Sequence, residues 1–387
     1  MKYKNYKPFN VLFMKKYLFL ATVVGAAFTS CVNDNEAVLT SEKNPQPITF
    51  EVAKYKASSR AEGDAQSQTG YTAFPTNQFF GTFAYKSASI NGTHELFMNN
   101  EKIGFMNNTW VALGGSYLWP EKGHVDFISY YPYSELNNDF APEVGDVNSG
   151  DKNKLSFNNY TVNQVDLMYS DKAHLQTHNY TTYGHSGVPT LFRHALAKLN
   201  FKVAAKYLVD TNNENQSWSI LVESIKLNSL HGTGSLHLQT TSPSTAGTTE
   251  WKVSNHVEGQ PKVWMTQGDA TVVKEWKVEN GGQSLDKELT IFSTAADYYV
   301  LPQTFGNKLQ SVTIKYYVTD KNPNSNTYNE PEERNKTLYF YDYSKMVAAW
   351  EIGKNITYNI IIDPLGDIIN FDPAVSDWDA ISGTLDI

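Results

Sequence analysis

The stretch Ser311-Val312-Thr313-Ile314-Lys315-Tyr316-Tyr317-Val318 decides the fold class. Val312, Ile314, Tyr316 and Val318 alternate with Ser311, Thr313, Lys315 and Tyr317. A period of two puts successive side chains on opposite faces of an extended chain, so one face is buried and the other largely wet. Ala195, Ala197, Leu199, Phe201 and Val203 alternate with Leu196, Lys198, Asn200 and Lys202 in the same way. Ile356, Tyr358, Ile360 and Ile362 repeat the pattern until Asp363-Pro364 breaks it. Ile48, Phe50 and Val52 mark a further strand, and Phe79, Gly81, Phe83 and Tyr85 another after the Pro75 turn.

Turn clusters separate these runs: Asn91-Gly92, Gly114-Gly115, Gly281-Gly282 and Asn322-Pro323-Asn324. No long stretch carries an apolar stripe of helical period, and Tyr343 to Trp350 offers at most one short helix. Many short strands with regular turn signals predict an all-β chain of β-sandwiches rather than a parallel α/β sheet. At 387 residues the chain exceeds one small core, so two sandwiches in series are expected. Their boundary is placed near residue 190, around Gly187-Val188-Pro189, giving domains 47–190 and 191–387. The absence of a short-period repeat disfavours a solenoid or propeller.

Aromatic residues make up 13% and charged residues 19%, enough apolar surface to fold and the mix that strands prefer. The formal net charge of −8 and the lack of a dense Lys/Arg run beyond the N-terminus argue against a nucleic-acid partner. The chain has one cysteine, so no internal disulfide forms.

That cysteine has a telling position. Lys15-Lys16 precede the apolar run Tyr17 to Phe28, then Thr29, Ser30 and Cys31. A positive start, a short apolar run and small residues before the cut describe a secretory signal over residues 1–30. The run falls short of the ~20 apolar residues a membrane span needs. Phe28-Thr29-Ser30-Cys31 resembles a bacterial lipobox, with Phe28 where Leu is usual, so Cys31 is the expected lipidation site; the alternative is a plain signal with an incidental cysteine. Met14-Lys15-Lys16 also opens a standard signal, making Met14 an alternative start. Residues 31–46, polar and punctuated by Asn33, Asp34, Asn35, Asn44 and Pro45, read as a tether.

Motifs for chemistry are missing. Gly232-Thr233-Gly234 lacks the third glycine of a nucleotide loop and sits between strands. His94-Glu95 does not continue into a zincin pair, and Gly115-Ser116 does not build a nucleophile elbow. His174, His178, His185 and His194 are the best metal candidates, set against the simpler reading of solvated loop histidines. Asp372, Asp377 and Asp379 around Trp378 could suggest glycoside hydrolysis, and read more simply as an exposed terminal tail. Trp251, Trp264 and Trp276 offer sugar-stacking platforms or core aromatics. No enzyme activity, cofactor or metal is expected.

Further phrases run the length of the chain. They are Ile48-Thr49-Phe50 leading to Ser59-Arg60-Ala61, Phe80-Gly81-Thr82-Phe83-Ala84-Tyr85, Trp119-Pro120, and His124-Val125-Asp126-Phe127-Ile128-Ser129-Tyr130-Tyr131-Pro132. Val165-Asp166-Leu167-Met168-Tyr169, Phe192-Arg193-His194-Ala195-Leu196-Ala197-Lys198-Leu199, Tyr299-Val300-Leu301-Pro302-Gln303, Asn355-Ile356-Thr357-Tyr358 and Asp377-Trp378 follow. With the lipobox, their order and spacing resemble the Bacteroidales fimbrillin family, the lipoprotein-derived subunits of type V pili.

The resemblance implies two tandem transthyretin-like β-sandwich domains and export as a lipidated precursor to the outer membrane. It implies cleavage by an arginine-specific protease beyond the first strand, which places the cut at Arg60-Ala61; the alternative is that Arg60 is an ordinary loop residue. It implies assembly with other fimbrial subunits at the cell surface and a role in adhesion, with the receptor undefined. Removing the strand around Phe50 would bare a groove and an unpaired edge for a neighbour's strand. The tail Ile368-Ile369-Asn370-Phe371-Asp372 is one donor candidate, with Ile369 and Phe371 as pocket fillers. The rival reading is a permanently lipid-anchored outer-membrane protein that anchors fimbriae or binds glycans.

Overall fold

The computed structural model describes residues 46–52, 54–55, 72–89, 92–134, 143–144, 155–178, 187–205, 209–210, 213–239, 249–250, 262–267, 270–277, 283–284, 292–293, 298–305, 310–366, 369–378 and 385–386. These are almost wholly strands, as the alternating runs predict. Val312, Ile314, Tyr316 and Val318 lie in strand Ser311–Asp320. The others form Ala197–Ala205, Lys354–Ile362, Phe80–Ser87 and Phe50–Val52. The short helix expected over Tyr343 to Trp350 does not form. A 3-10 turn spans Phe340–Tyr343 instead, and Ala349–Trp350 is a strand. Phe340 and Trp350 are both buried with their rings 5.0 Å apart, so packing pins both ends of the segment and overrides weak helical propensity.

The N-terminal half builds a nine-stranded sheet. Its hydrogen-bonded order is Val188–Thr190, Phe50–Val52, Thr109–Ala112, His94–Met106, Phe80–Ser87, His124–Tyr131, Met168–Ser170 and Phe192–His194, with Ala173–Gln176 also paired to His124–Tyr131. The two outermost strands are separated in sequence by Leu191 alone, so the sheet must curl until its ends meet. Inside the curl lie Phe50, Phe74, Phe80, Trp110, Trp119, Phe127 and Phe192.

Phe80–Ser87 and His124–Tyr131 are buried on both faces, where a simple period-two reading expects one wet face. Phe80, Ala84, Val125 and Phe127 face the first core. Phe83, Tyr85, Ile128 and Tyr130 face a second core, covered by Leu155, Phe157, Leu236, Leu301 and Ile352. Gly81 is obligatory at this wall. A Cβ there would fall 2.2 Å from Tyr130 Cε1, while the Tyr130 hydroxyl donates to Asn100 Oδ1 at 2.7 Å.

The covering strands, Leu155–Thr161 and Thr233–Gln239, pair antiparallel across a long sequence separation. The remaining core lies between two further sheets. One carries Ala197–Ala205, Lys354–Ile362 and Ile369–Asp377; the other carries Asn213–His231, Ser311–Asp320 and Pro331–Tyr339. Leu199, Phe201, Val203, Ile356, Tyr358 and Ile360 from the first meet Ile220, Val222, Ile225, Val312, Ile314 and Tyr316 from the second in one apolar cluster. Two sheets sharing one core in this way make a sandwich.

Candidate functional site

The site is the slot occupied by the first strand. Ile48, Phe50 and Val52 alternate, and all three are buried, at 4%, 4% and 2% exposure. Burying three such side chains is worth roughly 5–9 kcal/mol in gross transfer terms. The Phe50 ring stands edge-on to Phe80 at 5.9 Å and to Phe127 at 5.8 Å.

Both edges of this strand are paired. Phe50, Glu51 and Val52 run parallel to Val188, Pro189 and Thr190, while Phe50 opposes Trp110 antiparallel. The Val188 amide donates to the Thr49 carbonyl (2.8 Å), Ile48 N to Tyr117 O (2.8 Å) and Trp119 N to Gln46 O (2.9 Å). Gly187 allows the close approach, since a Cβ there would meet Glu51 N and the Phe50 carbonyl carbon at 3.0 Å. A strand inserted between two others, contributing three aromatic or aliphatic anchors, leaves a groove with two unpaired edges when withdrawn.

Directly after it, Lys54–Tyr55 pairs antiparallel with the chain end: Lys54 opposes Asp386 and Tyr55 opposes Leu385. The sequence reading did not anticipate this contact. Its only signal is the alternation of Leu385 and Ile387 around Asp386, too short to stand out.

Cys31, Arg60 and Ala61 lie outside the described residues. Phe371 is 4% exposed and sits in its own chain's core, its ring stacked on Tyr358 (4.4 Å, 14°) and near Tyr343 (4.8 Å). Strand Ile369–Asp377 makes a nine-position antiparallel ladder with Lys354–Ile362. Asp372 and Asp377 therefore belong to a sheet strand rather than an exposed tail, because Lys354–Ile362 needs a partner on that edge. Asp377 pairs with Lys354 Nζ at 2.5 Å; Asp379 lies outside the described residues.

Of the candidate histidines, His174 and His194 take separate partners. His174 Nδ1 lies 2.9 Å from Asp126 Oδ1, and His194 Nδ1 lies 2.7 Å from Asp166 Oδ2. His178 is exposed, and His185 is outside the described residues. Among the described residues no group of three or more His, Cys, Asp or Glu is arranged to hold a metal ion.

What His174 joins is a buried charge cluster that sequence reading missed. Asp126, 1% exposed, accepts from the Leu175 amide (2.7 Å) and pairs with Lys172 Nζ (2.9 Å), with His94 Nε2 at 3.8 Å. Burial alone would raise its carboxyl, but Lys172, the Leu175 amide and His174 together hold it below the ordinary range. His194 has a different role: its ring stacks flat on Trp378 (4.0 Å, 4°), which also stacks on Tyr299 (5.2 Å). Of the tryptophans weighed as sugar platforms, Trp251 lies outside the described residues; Trp264 and Trp276 lie in strands Lys262–Gln267 and Ala270–Lys277.

A family model described as fimbrillin-like matches residues 59–378. The chain belongs to the fimbrillin-like family. The match spans most of this fimbrillin-like chain and ends at Trp378, the residue stacked on His194. The family is structural rather than enzymatic, and it supports a fimbrial subunit role at the cell surface. Among solved structures, a fimbrial protein from Bacteroides vulgatus is similar at 19% identity and a TM-score of 0.52, covering 77% of this chain and 92% of that one. A putative cell adhesion protein from Bacteroides uniformis is 16% identical over 86% of this chain and 98% of that one, at a TM-score of 0.43. The first likeness supports the β-sandwich fold. No curated protein matches.

Proposed function

We propose that this fimbrillin-like chain is a shaft or tip subunit of a cell-surface fimbrium, exported as a precursor lipidated at Cys31 and activated by cleavage of Arg60-Ala61. Cleavage releases the leader strand, and a strand from a neighbouring subunit replaces it. The observation that carries this reading is the leader strand's position: it fills an inner slot with three buried side chains, yet only a short segment separates it from Arg60.

The distribution of arginine supports the choice of bond. The chain has three arginines, Arg60, Arg193 and Arg334. Arg193 is 4% exposed, its Nε 2.9 Å from Asp171 Oδ1. Arg334 is held within strand Pro331–Tyr339. Proteases need an extended, accessible segment, so an arginine-specific enzyme is steered to Arg60, set among Ser58, Ser59, Ala61 and Glu62.

The vacated slot offers main-chain pairing on both sides and pockets at alternate positions, the requirements for strand addition. The same contact repeated head to tail does not close and grows a filament. The donor lies in the C-terminal region. Assigning it to Ile369 and Phe371 requires strand Ile369–Asp377 to leave its ladder.

The test is mass spectrometry of the mature surface protein together with an Arg60→Ala variant. A mature chain starting at Ala61, and an R60A chain that keeps its lipid and forms no fimbriae, are expected. A wild-type surface protein that keeps lipidated Cys31 at its N-terminus would refute processing and favour a permanently anchored protein. Deleting residues 366–387 should abolish polymers, and unchanged polymers would refute a C-terminal donor.

A further inference from the structure

The two oxygens of the buried Asp126 carboxylate are held differently. Oδ1 accepts from the Leu175 amide at 2.7 Å and from His174 Nδ1 at 2.9 Å, a nitrogen that must donate because a carboxylate only accepts. Oδ2 lies 2.9 Å from Lys172 Nζ, with His94 Nε2 3.8 Å away. The side chains of Lys172 and Asp126 are 9% and 2% exposed, so amine and carboxyl meet out of water. The backbone leaves regular pairing to complete this arrangement. Strand Ala173–Gln176 shifts register against His124–Tyr131, and Leu175 takes a φ of +55°. The left-handed region is costly for a leucine, and here it goes with an amide aimed at Oδ1. Two donors on one oxygen and an amine at the other form an acyl-transfer arrangement: an oxyanion hole with a nucleophile beside the carbonyl carbon.

We propose that Lys172 and Asp126 are a covalent modification site, condensing after folding to an intramolecular amide. The ammonium first passes a proton across the 2.9 Å contact to Oδ2, giving a neutral amine beside a carboxylic acid. Away from water that neutral pair lies closer in energy to the ion pair, because two buried charges are removed together. Burial is the largest influence on Asp126 and favours the neutral form, while Lys172, the Leu175 amide and His174 keep the ion pair ahead. The reactive pair is therefore the minor form, and the reaction is slow. Nζ then attacks Cγ, the C–N bond forms, and the charge developing on Oδ1 is held by Leu175 and His174. A second proton moves from nitrogen to Oδ2, the Cγ–Oδ2 bond breaks and water leaves. Of the three ammonium protons two depart in the water and one stays on the amide; nothing is oxidised or reduced.

The bond ties strand His124–Tyr131 to the segment entering Ala173–Gln176 and closes the chain between Asp126 and Lys172 into a loop. Such a crosslink restricts the unfolded chain as a disulfide does, in a protein whose single cysteine forms no internal disulfide. Before linkage the pair has the pH dependence of an ion pair; after linkage no carboxyl remains. Neither cleavage at Arg60 nor polymer formation is required.

The test is tryptic peptide mass mapping of the full wild-type chain, as isolated and again after several days folded at neutral pH. A linked chain yields one branched peptide joining the segment from Gly123 to Lys152 with the segment from Leu155 to Arg193, uncut after Lys172. Its mass is about 18 Da below the sum of the two segments, one water. Separate peptides at both times, with cleavage after Lys172, would overturn the proposal. So would loss of water confined to the Asp126 peptide, the mark of a cyclic imide. Lys172→Arg keeps the cation but offers no amine, and should give separate peptides alone; a branched peptide in that variant would overturn the assignment to Lys172. His174→Ala removes one donor from Oδ1 at a side chain 54% exposed, where the fold tolerates truncation. Followed from refolding, its linkage should be at least about tenfold slower than in the wild-type chain. An unchanged rate would overturn the oxyanion hole.

Discussion

Phe50→Ala tests whether the first strand is a structural element of the precursor alone. The side chain is 4% exposed and meets Phe80 and Phe127 edge-on at 5.9 and 5.8 Å, so the substitution removes a full aromatic volume from a packed core. Such truncations cost about 3–5 kcal/mol, the transfer of the ring plus the cavity left behind. At a slope of roughly 3 kcal/mol per molar urea, that lowers the unfolding midpoint by about 1–2 M. The assay is urea unfolding of the uncut chain and of the chain cut after Arg60 and freed of its leader, each with and without the substitution. The uncut variant should show the full shift. The cut variant should show none, since the altered residue has left with the leader. Equal shifts in both forms would mean the strand stays after cleavage, and a shift below about 1 kcal/mol in the uncut form would mean the strand does not anchor the sheet. Either result refutes the replacement argument.

Other outcomes follow from the same structure. Gly187→Val places a branched side chain against the Phe50–Glu51 backbone, where a Cβ alone already sits 3.0 Å away; it should destabilise the uncut chain by about 1–3 kcal/mol and also weaken donor docking in the polymer, read by calorimetry and by polymer dissociation. The Asp126 carboxyl is held below the ordinary range, so its contribution is complete above the unfolded value of about 4 and is lost as pH falls through the folded value. Asp126→Asn should therefore flatten the stability loss below about pH 4, and at neutral pH should cost about 3–5 kcal/mol by leaving Lys172 buried beside a neutral amide. Trp378→Ala removes the ring stacked on His194 and Tyr299 and should cost about 2 kcal/mol, measured by thermal unfolding.

Strand content was legible because the period of two is a local property: Val312, Ile314, Tyr316 and Val318 announce a buried face before any partner is known. The same locality misled where tertiary cover changed the answer. Phe80–Ser87 looks like a one-faced strand, yet Leu155–Thr161 and Thr233–Gln239 contribute to covering its second face. Tyr343 to Trp350 allows at most a short helix by pattern, and the burial of Phe340 and Trp350 against each other replaces it with a 3-10 turn and a strand.

The sequence by itself determined the all-β class and the strand at Phe50. These are written in side-chain order along the chain. Only the tertiary structure decided that this strand lies between Thr109–Ala112 and Val188–Thr190, that Asp126 meets Lys172, and that Lys54–Tyr55 reaches Leu385–Asp386. Each of these pairs residues far apart in sequence, and which edges meet is set by how whole sheets curl and share cores rather than by any pattern within either segment.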